Sequence, residues 1–189
     1  MSFEMGFPLF DRYIALLLKW NEKVNLTAIT DPAEIRIKHI EDSLALLPYI
    51  DAVRAQHAAP LLLDLGSGAG FPGIPVKISR PDVRVVLVEA TRKKVSFLHT
   101  VIADLGLIGI EAVCGRAESP EIIQQLGKFD VVVSRATWDL KDFVPMALPY
   151  CRPQGTIIAM KGPKAEEEAN THHYTLSNGD KRVLIIISK

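Results

Sequence analysis

From residue 61 onward, short apolar runs alternate with segments of helical periodicity, and this alternation limits the chain to few folds. Runs such as Val85–Val88 and Val131–Val133 are apolar without interruption, which is typical of parallel strands covered on both faces. Repeated strand–helix units require right-handed crossovers and give a doubly wound, mostly parallel sheet. Ligands of such sheets bind beyond the carboxyl ends of the strands, where the strand order reverses.

The same periodicity predicts the individual elements of an α/β fold. Strands are expected over 61–65, 83–88, 110–113, 129–134, 156–160 and 183–187. Residues 9–50 are expected to be largely helical, and further helices are expected over 73–79, 92–106, 120–126 and 139–150. Asp31 and Pro32 suit a helix start, because aspartate caps helices and proline fits the first helical position. We expect one domain over 1–189, in which 1–55 form an N-terminal helical extension and 56–189 form the core.

Composition indicates the cellular compartment more clearly than it indicates the activity. The chain has 22 Lys plus Arg and 22 Asp plus Glu, so its net charge neither supports nor excludes nucleic-acid binding. Cys114 and Cys151 form no CxxC pair, which favours a reduced compartment and structural roles for both thiols. No apolar run approaches the roughly 20 residues of a membrane helix. We therefore expect a cytoplasmic protein without a membrane partner; its oligomeric state stays open.

A glycine-rich loop follows the first predicted strand. Glycine permits a tight turn and a close approach of the backbone to a ligand. A sharp strand-to-helix turn without a ligand is the alternative interpretation. Glu89 ends the second predicted strand, where Rossmann-like units place an acidic group that accepts hydrogen bonds from ribose hydroxyls. Together the two features predict a site for an adenosine-containing cofactor. The glycines are Gly66, Gly68, Gly70 and Gly73.

The loop spacing bears on which cofactor binds. Dinucleotide-binding loops commonly read G-x-G-x-x-G, whereas this loop reads G-x-G-x-G, with Asp64 two residues before it. The pattern resembles motif I of class I methyltransferases, whose cofactor is S-adenosylmethionine. The positively charged sulfonium and amino groups of that cofactor suit a carboxylate such as Asp64. An NAD-dependent oxidoreductase and a non-catalytic nucleotide-binding module remain open alternatives.

A longer series of motifs runs from about residue 20 to residue 162. The loop extends as Asp64–Pro75, with the ending P-G-I-P. The other segments are Trp20-Asn21, Asn25-Leu26-Thr27, His39–Ser43, Lys93-Lys94, Phe97-Leu98, Gly115–Glu118, Ser134-Arg135-Ala136 and Lys161-Gly162. In this order the segments resemble the RsmG/GidB family, bacterial methyltransferases of small-subunit ribosomal RNA. The segment 163–180 is shorter than the family usually carries.

This resemblance implies a Rossmann-like class I methyltransferase that uses S-adenosylmethionine. It implies methylation of N7 of one guanine in 16S ribosomal RNA, as free RNA or within the 30S subunit. By position, Arg135 would face the methionine end of the cofactor or the incoming guanine, and Ala117 and Glu118 would lie beside the adenine. The catalytic candidates are Arg135 and Arg116. The cofactor-binding candidates are Asp64, Gly66, Gly68, Gly70, Phe71, Glu89, Ala117, Glu118 and Arg135.

The implied chemistry needs few catalytic side chains. Guanine N7 has an unprotonated lone pair, so placement and exclusion of water are the main demands. After the fourth strand the chain reads Ser134-Arg135-Ala136-Thr137, without the Pro-Pro-aromatic motif of amino-group methyltransferases. No metal site is expected. RNA contacts are expected from basic residues around the pocket mouth, with ordinary surface charge as the alternative for each. These residues are Arg36, His39, Lys93, Lys94 and Lys161.

A class I methyltransferase acting on a small molecule would use the same pocket. Such an enzyme would not need the N-terminal helices or a basic rim. Activity on free nucleosides or metabolites, with none on ribosomal RNA, would favour that alternative.

Overall fold

The structure, a computed structural model, describes residues 7–55, 59–135, 137–163 and 170–189. Within these ranges the strands form one seven-stranded sheet in the order β3-β2-β1-β4-β5-β7-β6. Strands β1 to β5 are parallel, and β7 runs antiparallel between β5 and β6. The strands are β1 (Leu61–Leu65), β2 (Arg84–Glu89), β3 (Ile110–Cys114), β4 (Phe129–Arg135), β5 (Cys151–Lys161), β6 (Thr171–Thr175) and β7 (Lys181–Ser188).

Helices cover both faces of the sheet. Along β4, Val131 and Val133 belong to one apolar cluster, and Val132 belongs to the other. Because side chains alternate between the faces of a strand, both clusters draw on the same uninterrupted apolar run. The helices are α1 (Phe7–Asn21), α2 (Pro32–Ile35), α3 (Asp42–Leu44), α4 (Leu47–Arg54), α5 (Gly73–Ser79), α6 (Arg92–Asp104), α7 (Pro120–Leu126) and α8 (Leu140–Ala147). Helix α8 continues into a 3₁₀ turn over Leu148–Tyr150.

The predicted α/β class and doubly wound sheet are confirmed. The strand order reverses between β1 and β4, so the loop after β1 lies at the point where such sheets bind ligands. Strand β1 and helices α5 and α7 have the predicted bounds. None of the helices in the described ranges is long and apolar enough to cross a membrane.

The second half of the sheet departs from the sequence prediction. Strand β5 begins at Cys151, which pairs with Phe129 before the register shifts. The placement of Cys151 in a loop was wrong, because the polar stretch that follows hid a strand start in which this side chain is fully buried. Strand β6 was not predicted, since an exposed, polar edge strand lacks the apolar alternation of a half-buried one. It lies within 163–180, of which residues 164–169 are outside the described ranges.

The N-terminal segment packs on one face of the sheet and reaches the glycine loop. Tyr13 and Leu17 of α1 are fully buried, and the Tyr13 hydroxyl donates to the Ala69 carbonyl at 2.5 Å. Asp31 caps α2 by accepting from the Glu34 amide at 2.8 Å, as predicted. Between α2 and α3 the backbone forms a π-helical turn over Arg36–Glu41, which the helical periodicity did not predict. Such turns are frequent at functional sites.

Candidate functional site

The loop after β1 has a backbone that only glycine adopts at low cost. Gly66, Gly68 and Gly70 have φ values of 68°, 59° and 96°, in the left-handed region that disfavours other residues. The amides of Gly66 and Ser67 donate to the Val88 carbonyl at 2.9 and 3.0 Å. The loop is therefore fixed against the end of β2.

Asp64 lies beneath this loop. Its Oδ2 accepts from the Gly73 amide at 2.9 Å, at the start of α5. Its Oδ1 is buried and has no hydrogen-bond partner among the described residues. Burial raises the pKa of this carboxyl to about 7. Asp64 and Gly70 shape the loop and do not line the cavity above it.

Glu89 turns the end of β2 into an acceptor site beside the loop. Its Oε2 accepts from the Gly68 amide at 3.0 Å, and its Oε1 accepts from the Thr91 amide at 2.8 Å. These two bonds hold the carboxylate in one orientation. Each oxygen keeps lone-pair capacity for a further donor, such as a ligand hydroxyl.

A cavity of about 460 Å³ opens above the loop, at the carboxyl ends of β1 to β4. Its volume falls within the usual range for small-molecule and cofactor sites. One wall comes from the N-terminal segment, through Leu26, Thr27 and His39; the others come from the glycine loop and the ends of β2, β3 and β4. The remaining lining residues are Gly66, Ser67, Gly68, Ala69, Phe71, Val88, Glu89, Ala90, Lys94, Gly115, Arg116, Ala117, Glu118, Arg135, Thr137 and Trp138.

Gly68 shows how the cavity suits a ligand that approaches the backbone closely. A Cβ built on Gly68 meets only the Gly66 carbonyl, at 3.9 Å. No neighbouring side chain therefore fills the space beside the Gly68 Cα. Because glycine has no side chain, this space is part of the cavity. This open cradle beside an oriented carboxylate fits the adenosyl moiety of a cofactor.

An aromatic and cationic cluster forms the wall opposite Glu89. The Arg135 guanidinium carbon lies 5.0 Å from the centre of the Phe71 ring, and the His39 ring centre lies 4.7 Å from it. Arg135 Nη2 is 3.2 Å from His39 Nδ1. Since a guanidinium only donates, Nδ1 accepts, and Nε2 donates to Thr27 Oγ1 at 2.8 Å. The wall thus holds the Arg135 donors in fixed positions against the buried Phe71 ring.

His39 is neutral at physiological pH. Burial, followed by the nearby positive charge of Arg135, lowers its pKa to about 4. The Lys38 carbonyl, 3.1 Å from His39 Nδ1, accepts from Arg135 Nη1 at 3.1 Å. No proton on Nδ1 is therefore needed to satisfy this carbonyl.

These two shifted groups predict opposite effects of pH on stability. The folded-state pKa of His39 is below its unfolded value near 6.5, so its contribution to the free energy of unfolding is lost as pH falls from about 6.5 to 4. The folded-state pKa of Asp64 is above its unfolded value near 3.8, so its contribution is lost as pH rises from about 4 to 7. Each contribution is on the order of 3 kcal/mol.

Urea unfolding of two variants between pH 4 and 7 separates the contributions. Relative to wild type, we expect His39→Gln to become more destabilising as pH rises to 6.5. We expect Asp64→Asn to become less destabilising as pH rises to 7. Parallel pH profiles for both variants and wild type would contradict these assignments.

The other sequence-predicted residues are divided between the cavity and the surface. Arg116 lies at the rim, with its side chain 78% exposed and its Nη1 3.5 Å from the Glu118 carboxylate. Lys94 lines the cavity, whereas Lys93 is exposed beside it. Arg36 pairs with Asp11. Lys161 is half-buried and donates to the Trp138 carbonyl.

The segment around Thr27 belongs to the series of family motifs, but its residues alone predict no role for it. Asn21 explains its geometry, because its Oδ1 accepts from the Leu26 and Thr27 amides at 2.8 and 3.0 Å. This carbonyl oxygen holds the turn that brings Leu26 and Thr27 to the cavity. Trp138, which also lines it, had no sequence signal beyond its position after β4.

A family model described as rRNA small subunit methyltransferase G, GidB, matches residues 7–188. The chain belongs to this family. One relative, the ribosomal RNA small subunit methyltransferase G of Sorangium cellulosum, is 47% identical over 156 residues, which cover 82% of this chain and 64% of the relative. The chain thus spans less than two thirds of that relative. The protein of the same name from Anaeromyxobacter is 46% identical over 160 residues, covering 85% of this chain and 71% of the relative.

Among solved structures, a mutant of MtNAS in complex with S-adenosylmethionine shares the fold. The TM-score is 0.61 with 16% identity, over 97% of this chain and 76% of the other. At this identity the likeness concerns the fold alone. It agrees with the Rossmann-like class I methyltransferase fold expected of a GidB family member.

Proposed function

We propose that this chain transfers the methyl group of S-adenosylmethionine to N7 of one guanine in 16S ribosomal RNA. The family supports the reaction class. One observation supports the proposal for the site: a single cavity is lined by two different groups of residues. One group is the glycine loop with Glu89, and the other is the wall that contains His39, Phe71 and Arg135. The first half suits an adenosyl group, and the second suits a flat purine base.

On the cofactor side, the Glu89 carboxylate accepts from the ribose hydroxyls. The loop backbone at Gly68 lies against the adenosyl moiety, where a side chain would obstruct it. Ala117 and Glu118, after β3, lie beside the adenine. Bound S-adenosylmethionine supplies an electrophilic methyl group on a sulfonium.

On the base side, the Arg135 guanidinium lies over the Phe71 ring, and Arg135 has hydrogen-bond donors free for the substrate. Its Nη1 donates to Lys38 and Asp42, and its Nη2 contacts His39. Its Nε–H has no partner among the described residues, so it is available to a base acceptor such as guanine O6. The N7 lone pair forms the new bond to carbon, and the electrons of the broken carbon–sulfur bond stay on sulfur. No proton moves, which agrees with a neutral His39.

The N-terminal segment, 1–55, forms the RNA-facing part of one domain with the core over 56–189. Lys93 and Lys94 extend this surface with positive charge for phosphates. The substrate is free 16S RNA or the 30S subunit, which places the reaction in the cytoplasm.

A methyl-transfer assay tests the proposal. Equal amounts of 30S subunits, free 16S RNA and guanosine are incubated with methyl-labelled cofactor. We expect label in RNA, on N7 of a single guanine, and none in guanosine. Label in guanosine alone would favour a small-molecule substrate. Calorimetry with S-adenosylhomocysteine and NAD tests the oxidoreductase alternative, since only the former is expected to bind.

Replacing His39 tests the assignment of the two halves of the cavity. We expect His39→Ala to lower kcat/KM for RNA about tenfold or more, because the Phe71 and Arg135 wall loses its support. The Kd for S-adenosylhomocysteine should stay within about twofold of wild type. His173→Ala, at an exposed histidine of β6, is the matched control and should change neither value. A large loss of cofactor affinity in His39→Ala would assign this residue to the other half.

A further inference from the structure

A buried ionic network connects the cavity wall to the last two strands. Asp42, the first residue of α3, has a side chain only 6% exposed, and its Oδ2 lies 3.1 Å from Arg135 Nη1. Its Oδ1 accepts from the Tyr174 hydroxyl at 2.6 Å and lies 3.8 Å from Arg182 Nε. The carboxylate therefore joins three elements that are far apart in the chain: the N-terminal segment, β4 and the β6–β7 hairpin.

From this arrangement we propose that Asp42 is the positioning residue of Arg135, with Tyr174 and Arg182 of the C-terminal hairpin holding its carboxylate in place. The proposal rests on the proposed function, in which Arg135 faces the base. It makes the β6–β7 hairpin part of the site, although the hairpin contributes no residue to the cavity lining.

The position of the Arg135 guanidinium is restricted by its burial and by its few partners. Its side chain is 15% exposed, so the guanidinium has lost most of its water and needs an anionic partner. The Lys38 carbonyl and His39 each take one contact but carry no negative charge. Asp42 is the carboxylate that fixes the guanidinium plane beside Phe71.

Charge gives Asp42 a second effect on the proposed reaction. Methylation at N7 moves a positive charge from sulfur to the base, and an unpaired Arg135 beside the base would oppose that movement. The Asp42 carboxylate, 3.1 Å from the guanidinium, compensates the charge of Arg135. Its removal should therefore act on kcat more than on cofactor binding.

Glu41 provides a matched control, because it is the neighbouring carboxylate and holds the same hairpin. Its oxygens accept from the Ser177 amide at 2.7 Å and from the Ser177 hydroxyl at 2.6 Å. Neither bond involves Arg135. A role limited to docking the hairpin would make Glu41→Gln and Asp42→Asn alike.

The test combines kinetics with a double-mutant cycle. We expect Asp42→Asn to lower kcat for RNA methylation about tenfold or more, with the Kd for S-adenosylhomocysteine within about twofold of wild type. Tyr174→Phe should cause a smaller loss of kcat and retain the fold, and Glu41→Gln should stay near wild type. In an Arg135→Gln background, Asp42→Asn should cost little more, because residues that act through one another are not additive.

An NMR titration of His39 reads the position of Arg135 without measuring activity. Loss of the negative charge at Asp42 would by itself lower the pKa of His39. We expect the pKa of His39 to rise in Asp42→Asn. Such a rise would show that the Arg135 cation has moved away from His39. An unchanged or lower value, or additive losses in the cycle, would overturn the role of Asp42. If the wild-type protein transfers no methyl group to RNA, the proposed function is contradicted, and so is the role of Asp42 that rests on it.

Discussion

Replacing Gly70 by alanine is expected to lower the free energy of unfolding by about 3 kcal/mol. Gly70 has φ +96°, and a Cβ there would lie 2.3 Å from Ile74 Cδ1 and 3.0 Å from the Tyr13 hydroxyl. The substitution therefore combines backbone strain with overlap in a closely packed region. Urea unfolding measures the loss. Since Tyr13 belongs to α1, the variant should also disturb the contact between the N-terminal segment and the loop.

Gly106→Ala separates strain from overlap. Gly106, just after α6, has φ +62°, but a Cβ there meets nothing within 4 Å. We expect it to cost about 1 kcal/mol, from backbone strain alone. Equal losses in the two variants would contradict the packing assigned to Gly70.

The second large effect is expected at Glu89. We predict that Glu89→Gln weakens binding of S-adenosylhomocysteine about 100-fold, because hydrogen bonds to a charged group contribute roughly 1.5–3 kcal/mol each. The amide of glutamine also cannot accept from both the Gly68 and Thr91 amides, so the end of the side chain loses its fixed orientation. Titration calorimetry measures the affinity.

Glu111→Gln is the control for this prediction. Glu111 is an exposed carboxylate on β3 and does not line the cavity, so its replacement should leave the affinity unchanged. An affinity near wild type in Glu89→Gln would mean that this carboxylate only stabilises the loop. Equal weakening in both variants would indicate a long-range charge effect.

Much of the parallel half of the fold was predictable, for a physical reason. Strand β1 is a fully apolar run apart from Asp64, and the glycines directly after it mark its end. Both signals are local in sequence. The loop, Glu89 and the position of the cavity all depend on strand ends of this kind, so the sequence predicts where the cavity lies.

The opposite wall could not be predicted in the same way. The contact between Arg135 and Asp42 joins residues 93 positions apart, and no periodicity shows such a pairing. The π-helical turn differs from an α-helix by one hydrogen-bond step, which the spacing of apolar residues does not resolve. The hydrogen bond from the Lys161 ammonium group to the Trp138 carbonyl also joins distant positions, so no local pattern shows it.

One cavity is expected to hold the cofactor against the glycine loop and to leave the wall of His39 and Arg135 to the base. A crystal structure of the protein with S-adenosylhomocysteine tests this directly. We expect the ribose hydroxyls on Glu89, the adenine beside Ala117 and the sulfur facing Arg135. Adenosyl density elsewhere on the protein, or a cavity that stays empty at saturating ligand, would contradict this division of the cavity.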